Sequence, residues 1–226
     1  MYENQTMYQV IKQNAIESPN VRAVFYKGTS INYKKFIRLV DETADILYNV
    51  LGVRKDDVVL LAQPNIPEVL ILFYAVNKIG AICNLVHPFT PYNQVAAIMD
   101  KTNSKVAFIF EQRIAKEVEK YRQLADKIYV TRVENFLPPL TKFIYHNFMN
   151  NKIRKKLGKS RKFDGFKYFH DLKPTGKDVP ICEDYKKLSV LLHSGSTTGE
   201  PKTISLSDIP FNGPIAGVTV GLIDGE

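Results

Sequence analysis

A chain of 226 residues with net charge +8, 45% hydrophobic and carrying 12 Tyr and 13 Phe but no Trp, is long enough to bury one large core or two small ones. Its two cysteines, Cys83 and Cys182, lie far apart, and no His/Cys cluster has metal-ligand spacing, so a disulfide framework and a zinc module are excluded. The N-terminus has no basic stretch followed by an apolar one, and no apolar run reaches membrane-span length; the sequence reads as cytoplasmic, with both thiols free and buried or half-buried.

Residues 21–33 read as a hairpin: a strand Val21 to Tyr26, a turn at Lys27-Gly28-Thr29 and a short return Ser30 to Tyr33. Phe36, Val40, Ala44, Leu47 and Leu51 then recur at helical spacing, and Gly52 stands at a C-cap position. Asp57 to Ala62 is a nearly continuous apolar strand, the pattern of a sheet covered on both faces. Asn65 is the expected N-cap of the next helix, with Pro67 in its first turn and Glu68 at the capping-box position; Gly80 ends it near Ile79. Ala81 to Val86 is a strand, and Thr90 is expected to cap a helix with Pro91 at its first position. A strand over Lys105 to Phe110, a helix through Val118 and Leu124, and a strand over Asp126 to Val130 follow. Strands and helices alternate at βαβ spacing, so the expected fold class is α/β, a mainly parallel sheet flanked by helices.

Residues 134–187 break this alternation. Leu137-Pro138-Pro139-Leu140 is a stop signal, and Thr141 to Asn151 predicts an aromatic helix with Phe143, Ile144, Phe148 and Ile153 on one side. Lys152, Arg154, Lys155, Lys156, Lys159, Arg161 and Lys162 carry the basic excess within an insertion at about 141–165. Phe166 to Phe169 reads as a short strand or edge, and Lys173 to Lys177 as a loop. Leu188 to Leu192 returns to the sheet and leads into His193-Ser194-Gly195-Ser196-Thr197-Thr198-Gly199-Glu200-Pro201-Lys202-Thr203.

Within that loop, Ser194 to Lys202 holds two glycines, four hydroxyl side chains and a lysine, the groups that a polyphosphate needs: N–H and O–H donors, close backbone approach and a positive charge. It is neither a Walker A loop, because Gly195 and Gly199 are four apart and Pro201 precedes the lysine, nor a Gly-x-Gly-x-x-Gly dinucleotide turn. Composition alone also fits a flexible Ser/Gly linker; the strand before it and the lysine within it favour the phosphate reading. His193 is a candidate for substrate or phosphate contact, weighed against a packed polar residue at a strand end, and His87 reads as structural.

Ser194 to Lys202 resembles the phosphate-binding signature of the AMP-forming adenylate superfamily, the AMP-dependent synthetases and ligases that include the acyl-CoA synthetases; Ser196 stands where the usual form has glycine. The resemblance extends over roughly 7–206 through Ser30-Ile31-Asn32-Tyr33, Asn65-Ile66-Pro67-Glu68, Ala75 to Ala81 and Val86-His87-Pro88. It implies ATP-dependent activation of a carboxylic acid, such as a fatty acid, to acyl-AMP with loss of pyrophosphate. Transfer to a thiol of CoA or of a phosphopantetheine on an acyl carrier protein would follow. Ser194, Ser196, Thr197, Thr198 and Lys202 would then hold the β- and γ-phosphates, Gly195 and Gly199 would admit them, and a Mg²⁺ ion would bridge them.

The resemblance also implies later parts that are not identifiable here: an adenine-stacking segment with a metal-binding glutamate, a ribose-binding aspartate, a hinge residue and a lysine in a small C-terminal domain. Residues 1–206 therefore read as a partial adenylating domain, expected to be inactive alone, and no catalytic residue is assigned. After Leu206 the family continues into a helix, whereas Ser207 to Pro214 is expected to resist one; the tail 207–226 is similar to a later family segment joined on. The alternative is a non-catalytic remnant that binds a nucleotide, a partner or a membrane. The basic cluster reads as a solvated insertion, with contact to an anionic membrane surface through 143–162 as the alternative. Nucleic acid is not expected, because no recognition motif accompanies the charge.

Overall fold

The structure, a computed structural model, describes residues 4–145, 162–193 and 203–212. The apolar run near residue 60 forms β3 (Val58–Ala62), the middle strand of a seven-stranded sheet. The sheet runs in the order β7 (Lys167–Tyr168), β6 (Ile128–Thr131), β5 (Ser104–Phe110), β3, β4 (Ile82–Leu85), β8 (Val190–His193), β9 (Thr203–Leu206). Each neighbouring pair is parallel except β8 with β9, which is antiparallel.

Successive residues of a strand point to opposite faces, and here both faces are dry. Val59 and Leu61 join Val106 and Phe108 in a core shared with α1 (Met7–Glu17), α2 (Tyr33–Asp45) and α3 (Pro67–Ile79). Leu60 and Ala62 join Ala107 and Ile109 in a second core under α4 (Tyr92–Lys101), α5 (Glu111–Lys116) and α6 (Val118–Tyr121). The continuous apolar pattern of β3 follows from this double burial. It also means that the connection leaving β3 turns to one face and the connection leaving β4 to the other. A crevice therefore opens at the carboxyl ends of these adjacent strands, the usual place for a ligand in an open parallel sheet.

The hairpin is present as β1 (Arg22–Tyr26) and β2 (Thr29–Asn32), with Lys27 and Gly28 at φ 45° and 89° making a two-residue turn. The helical stripe Phe36, Val40, Ala44, Leu47 is buried, the helix ends in a π turn at Ile46–Val50, and Gly52 takes φ 68° as expected of a cap. Gly80 closes α3 at φ 84°, and a Cβ there would lie 2.8 Å from Cys182 Sγ, so only glycine fits. Cys83 and Cys182 are free thiols, buried and half-buried.

Several boundaries move. Ile66, not Asn65, is the N-cap of α3, and no side chain caps it; Pro67 takes the first helical position and Asn65 is exposed. Pro91 is itself the N-cap of α4, because its ψ of 150° keeps it extended and leaves Thr90 outside. The single helix expected through Val118 and Leu124 breaks at Glu117 (φ −140°) into α5, α6 and a 3₁₀ turn Arg122–Leu124. The two prolines read as a stop signal instead open α7 (Pro139–Ile144), where fixed φ and a missing N–H cost nothing. Phe143 and Ile144 of the expected aromatic helix are exposed; Phe148, Ile153 and the basic cluster up to Arg161 lie outside the described residues. Lys167–Tyr168 is the expected short edge strand. Helix α1, opened by a Thr6–Gln9 capping box, had no counterpart in the sequence reading.

Glu68 forms no capping box. It is 4% exposed, and burial pushes its carboxyl up to about 8, opposed only in part by a hydrogen bond with Asn135. A folded-state pKa raised above the ordinary carboxylate value favours folding at low pH, and that contribution fades as pH rises towards about 8. Glu68→Gln, which cannot ionise, should therefore be close to wild type in urea denaturation near pH 5 and more stable near pH 8, by on the order of 2 kcal/mol.

Candidate functional site

The parallel pairing of β4 and β8, Cys83↔Val190 through Leu85↔Leu192, carries the hydroxyl-rich segment to the sheet's carboxyl edge, beside the crevice at β3 and β4. β8 holds this place because Val190 and Leu191 are buried and because Lys187, 8% exposed, directs its ammonium to the carbonyls of Ala81 and Leu188 and to Ser189 Oγ. Cys83 N–H donates to the Ser189 carbonyl at 2.8 Å. β9 returns antiparallel, in register His193↔Thr203 to Val190↔Leu206. Residues 194–202 lie in sequence between these two antiparallel strands, a pairing that the sequence reading did not contain. Ser194, Gly195, Ser196, Thr197, Thr198, Gly199 and Lys202 all belong to this connection between β8 and β9 and lie outside the described residues.

The two strand ends that hold the connection are described. His193 Nε2 lies 2.5 Å from Asn84 Oδ1, and Thr203 Oγ1 lies 3.3 Å from His193 Nδ1. Burial, and then the charge of Lys101, hold the imidazole below the usual histidine range. A cavity of about 180 Å³ flanks the ring, lined by Gln94, Ala97, Ile98, Lys101, Thr102 and Thr203. A larger one of about 500 Å³ occupies the crevice, between Leu61 and Gln63 at the end of β3, Leu85 to Pro88 at the end of β4, Phe73 of α3, and Phe211. His87, read as structural, is exposed at the crevice, its Nδ1 accepting from Phe89 N–H at 3.3 Å. Among the described residues no group of His, Cys, Asp and Glu is arranged to hold a metal, and no helix is long and apolar enough to cross a membrane.

The hairpin is tied down behind β9. Asp208, 0% exposed, accepts from Asn77 Nδ2 at 2.9 and 3.1 Å and from Met7 N–H at 3.3 Å; Asn77 Oδ1 accepts Tyr8 N–H at 2.9 Å. Residues 209–212 are helical, with Phe211 N–H and Asn212 N–H returning to the Asp208 carbonyl. The expectation that the chain resists a helix after Leu206 is corrected here. Asp208 precedes the turn, and Pro210 sits in it, where proline is tolerated. Asn84 and Asp208 were missed as well. Their signals were a lone polar residue within an apolar strand and an aspartate two positions before a proline.

Compared with known proteins, the chain matches the AMP-binding enzyme family over residues 11–208. Acetyl-coenzyme A synthetase 1 of Candida glabrata is 26% identical over 215 residues, 89% of this chain and 29% of that protein. The long-chain-fatty-acid–CoA ligase FadD13 of Mycobacterium tuberculosis is 30% identical over 119 residues, 52% of this chain and 23% of that one. Among solved structures, the N-terminal domain of FACL13 from Mycobacterium tuberculosis aligns with a TM-score of 0.62 at 21% identity, covering 90% of this chain and 44% of that one. A long-chain-fatty-acid CoA ligase from Rhodopseudomonas palustris, described as putative, aligns at 0.67 and 18%, covering 99% and 49%. At these identities the structures speak for a shared fold. The chain spans under a third of the length of these two curated relatives and about half that of these solved chains.

Asp208→Ala would leave Asn77 Nδ2 and Met7 N–H buried without their acceptor. Urea denaturation should show a loss of about 2–3 kcal/mol, with Asp208→Asn, which keeps one acceptor oxygen, losing less.

Proposed function

The chain belongs to the AMP-binding enzyme family, and we propose that it supplies the phosphate grip of an ATP-dependent ligase that activates a carboxylic acid to acyl-AMP. The acyl group then passes to the thiol of CoA or of a phosphopantetheine on an acyl carrier protein. The observation that supports this reading is the position of His193 and Thr203, the described residues that flank 194–202, at the carboxyl end of parallel β8 and beside the crevice of β3 and β4. The connection's composition suits a polyphosphate: hydroxyl donors at Ser194, Ser196, Thr197 and Thr198, glycines at 195 and 199, and the Lys202 ammonium. Glu200 is its only carboxylate, so Mg²⁺ would enter on the phosphates rather than on a protein cage.

In this reading the chain's residues bind and orient. The hydroxyls and Lys202 neutralise the β- and γ-phosphates as pyrophosphate departs, which is where charge stabilisation lowers the barrier. The names of the relatives favour acetate or a fatty acid as the acid. Residues 1–206 form the opening portion of the adenylating domain, and 207–226 a tail whose Asp208 and Asn212 bond back to the body. Two free thiols suit a reducing, cytoplasmic setting. The basic segment reads as a solvated insertion; exposed Leu140 and Phe143 beside it favour the alternative, contact with an anionic membrane through 143–162.

Calorimetric ATP binding and ATP–pyrophosphate exchange with a panel of carboxylic acids test the proposal together. ATP should bind, and Lys202→Ala should weaken it roughly 100-fold, with exchange at background. Exchange that Lys202→Ala abolishes would establish the ligase and overturn inactivity alone. Neither binding nor exchange would leave the non-catalytic remnant as the reading.

A further inference from the structure

We propose that His193 is a positioning residue for the phosphate-binding connection, its imidazole held by Asn84 as the Nε2–H tautomer so that Nδ1 takes a hydrogen bond from Thr203 and clamps the two strands where the connection leaves them. The inference rests on the phosphate reading of residues 194–202 and adds to it a residue outside the family signature.

The tautomer follows from counting protons along one chain of hydrogen bonds. Thr102 Oγ1 has a single proton and gives it to the Ile98 carbonyl at 2.7 Å. It must therefore accept from Asn84 Nδ2, 3.0 Å away, and Ser104 Oγ at 2.8 Å is its second donor. With Nδ2 committed to Thr102, the Asn84 amide turns Oδ1 towards His193. A carbonyl oxygen only accepts, so Nε2, at 2.5 Å, carries the ring proton. In the neutral ring Nδ1 is then an acceptor, and Thr203 Oγ1 at 3.3 Å is its donor. Asn84 is 0% exposed, so water does not compete for its amide. Burial and then the Lys101 charge lower the ring's pKa, the direction that this arrangement requires.

Position gives this chain its consequence. His193↔Thr203 is the last backbone pair before the connection, and Ser194 follows His193 directly. Backbone pairing alone leaves the last rung of a ladder free to fray. The imidazole ties that rung across to β9 and sideways to β4, and through Asn84 and Thr102 to the end of α4. A phosphate loop that is fixed before its ligand arrives loses less freedom on binding. The clamp therefore acts on affinity for the polyphosphate, not only on stability.

Two measurements on the 226-residue chain test this. Nitrogen-15 spectra of the His193 ring near neutral pH should show the Nε2–H tautomer, with Asn84→Leu releasing it; an Nδ1–H ring would overturn the inference. Calorimetry with inorganic tripolyphosphate should show affinity falling roughly tenfold in His193→Phe and in Thr203→Val, which breaks the clamp from the other strand if the first variant does not fold. His193→Asn, which keeps an acceptor for Thr203, should recover part of the loss at an equal urea midpoint. Unchanged affinity in the clamp variants, alongside loss in Lys202→Ala, overturns the positioning role and leaves the phosphate grip standing. Absence of tripolyphosphate binding in the wild-type chain overturns the phosphate reading and the positioning role with it.

Discussion

Everything proposed for this chain depends on one parallel pairing, that of β4 with β8. It joins Cys83, Asn84 and Leu85 to Val190, Leu191 and Leu192, segments separated by more than a hundred residues. β8 is only four residues long and would be a weak strand on its own. Polar side chains pin it at both ends: the Lys187 ammonium at its entry, bonded to the carbonyls of Leu188 just before β8 and of Ala81 just before β4, and the His193 ring at its exit, bonded to Asn84. Between these pins Val190 and Leu191 are buried. The apolar contacts hold the strand in the sheet, and the polar ones keep it from sliding, because a shifted register would strand a lysine and an asparagine amide without partners.

A second tie works at long range. The chain emerging from β9 meets the N-terminal helix and α3 at a buried point where Asp208, Asn77 and the backbone of Met7 and Tyr8 exchange hydrogen bonds. Phe211 then packs edge-on against Phe73 at 6.0 Å. The hairpin that carries the candidate phosphate loop is thus braced from β4 on one side and from α1 and α3 behind. Catalysis by positioning asks for such a base, since a loop that must hold charge in place works only as well as its supports.

Much of this was legible beforehand, and particular residues show why. The run Val58 to Ala62 is apolar at every position because neighbouring residues enter opposite cores, so its pattern stated a central strand. Lys27-Gly28, Gly52 and Gly80 stand where positive φ is required. The misreadings also share a cause. Asn65 has the chemistry of an N-cap but lies one residue early, because Pro67 takes the first helical position and leaves Ile66 as the cap. Pro138-Pro139 and Pro210 were read as breakers, yet they sit at helix starts, where proline fits. α1 and β9 are weakly patterned alone and are held by partners far away in the chain.

The sequence by itself determined the α/β alternation and the chemistry of the segment 194–202. Strand and helix periodicity, turn glycines and a cluster of hydroxyls around a lysine are local properties, and local properties can be read in order. The tertiary structure alone decided that this segment lies between two paired antiparallel strands, that an asparagine in β4 holds the histidine at its base, and that a buried aspartate after β9 anchors it to α1 and α3. Those relations arise where the two cores close on the sheet and every buried polar group has to find a partner, and the partners lie up to 207 residues apart.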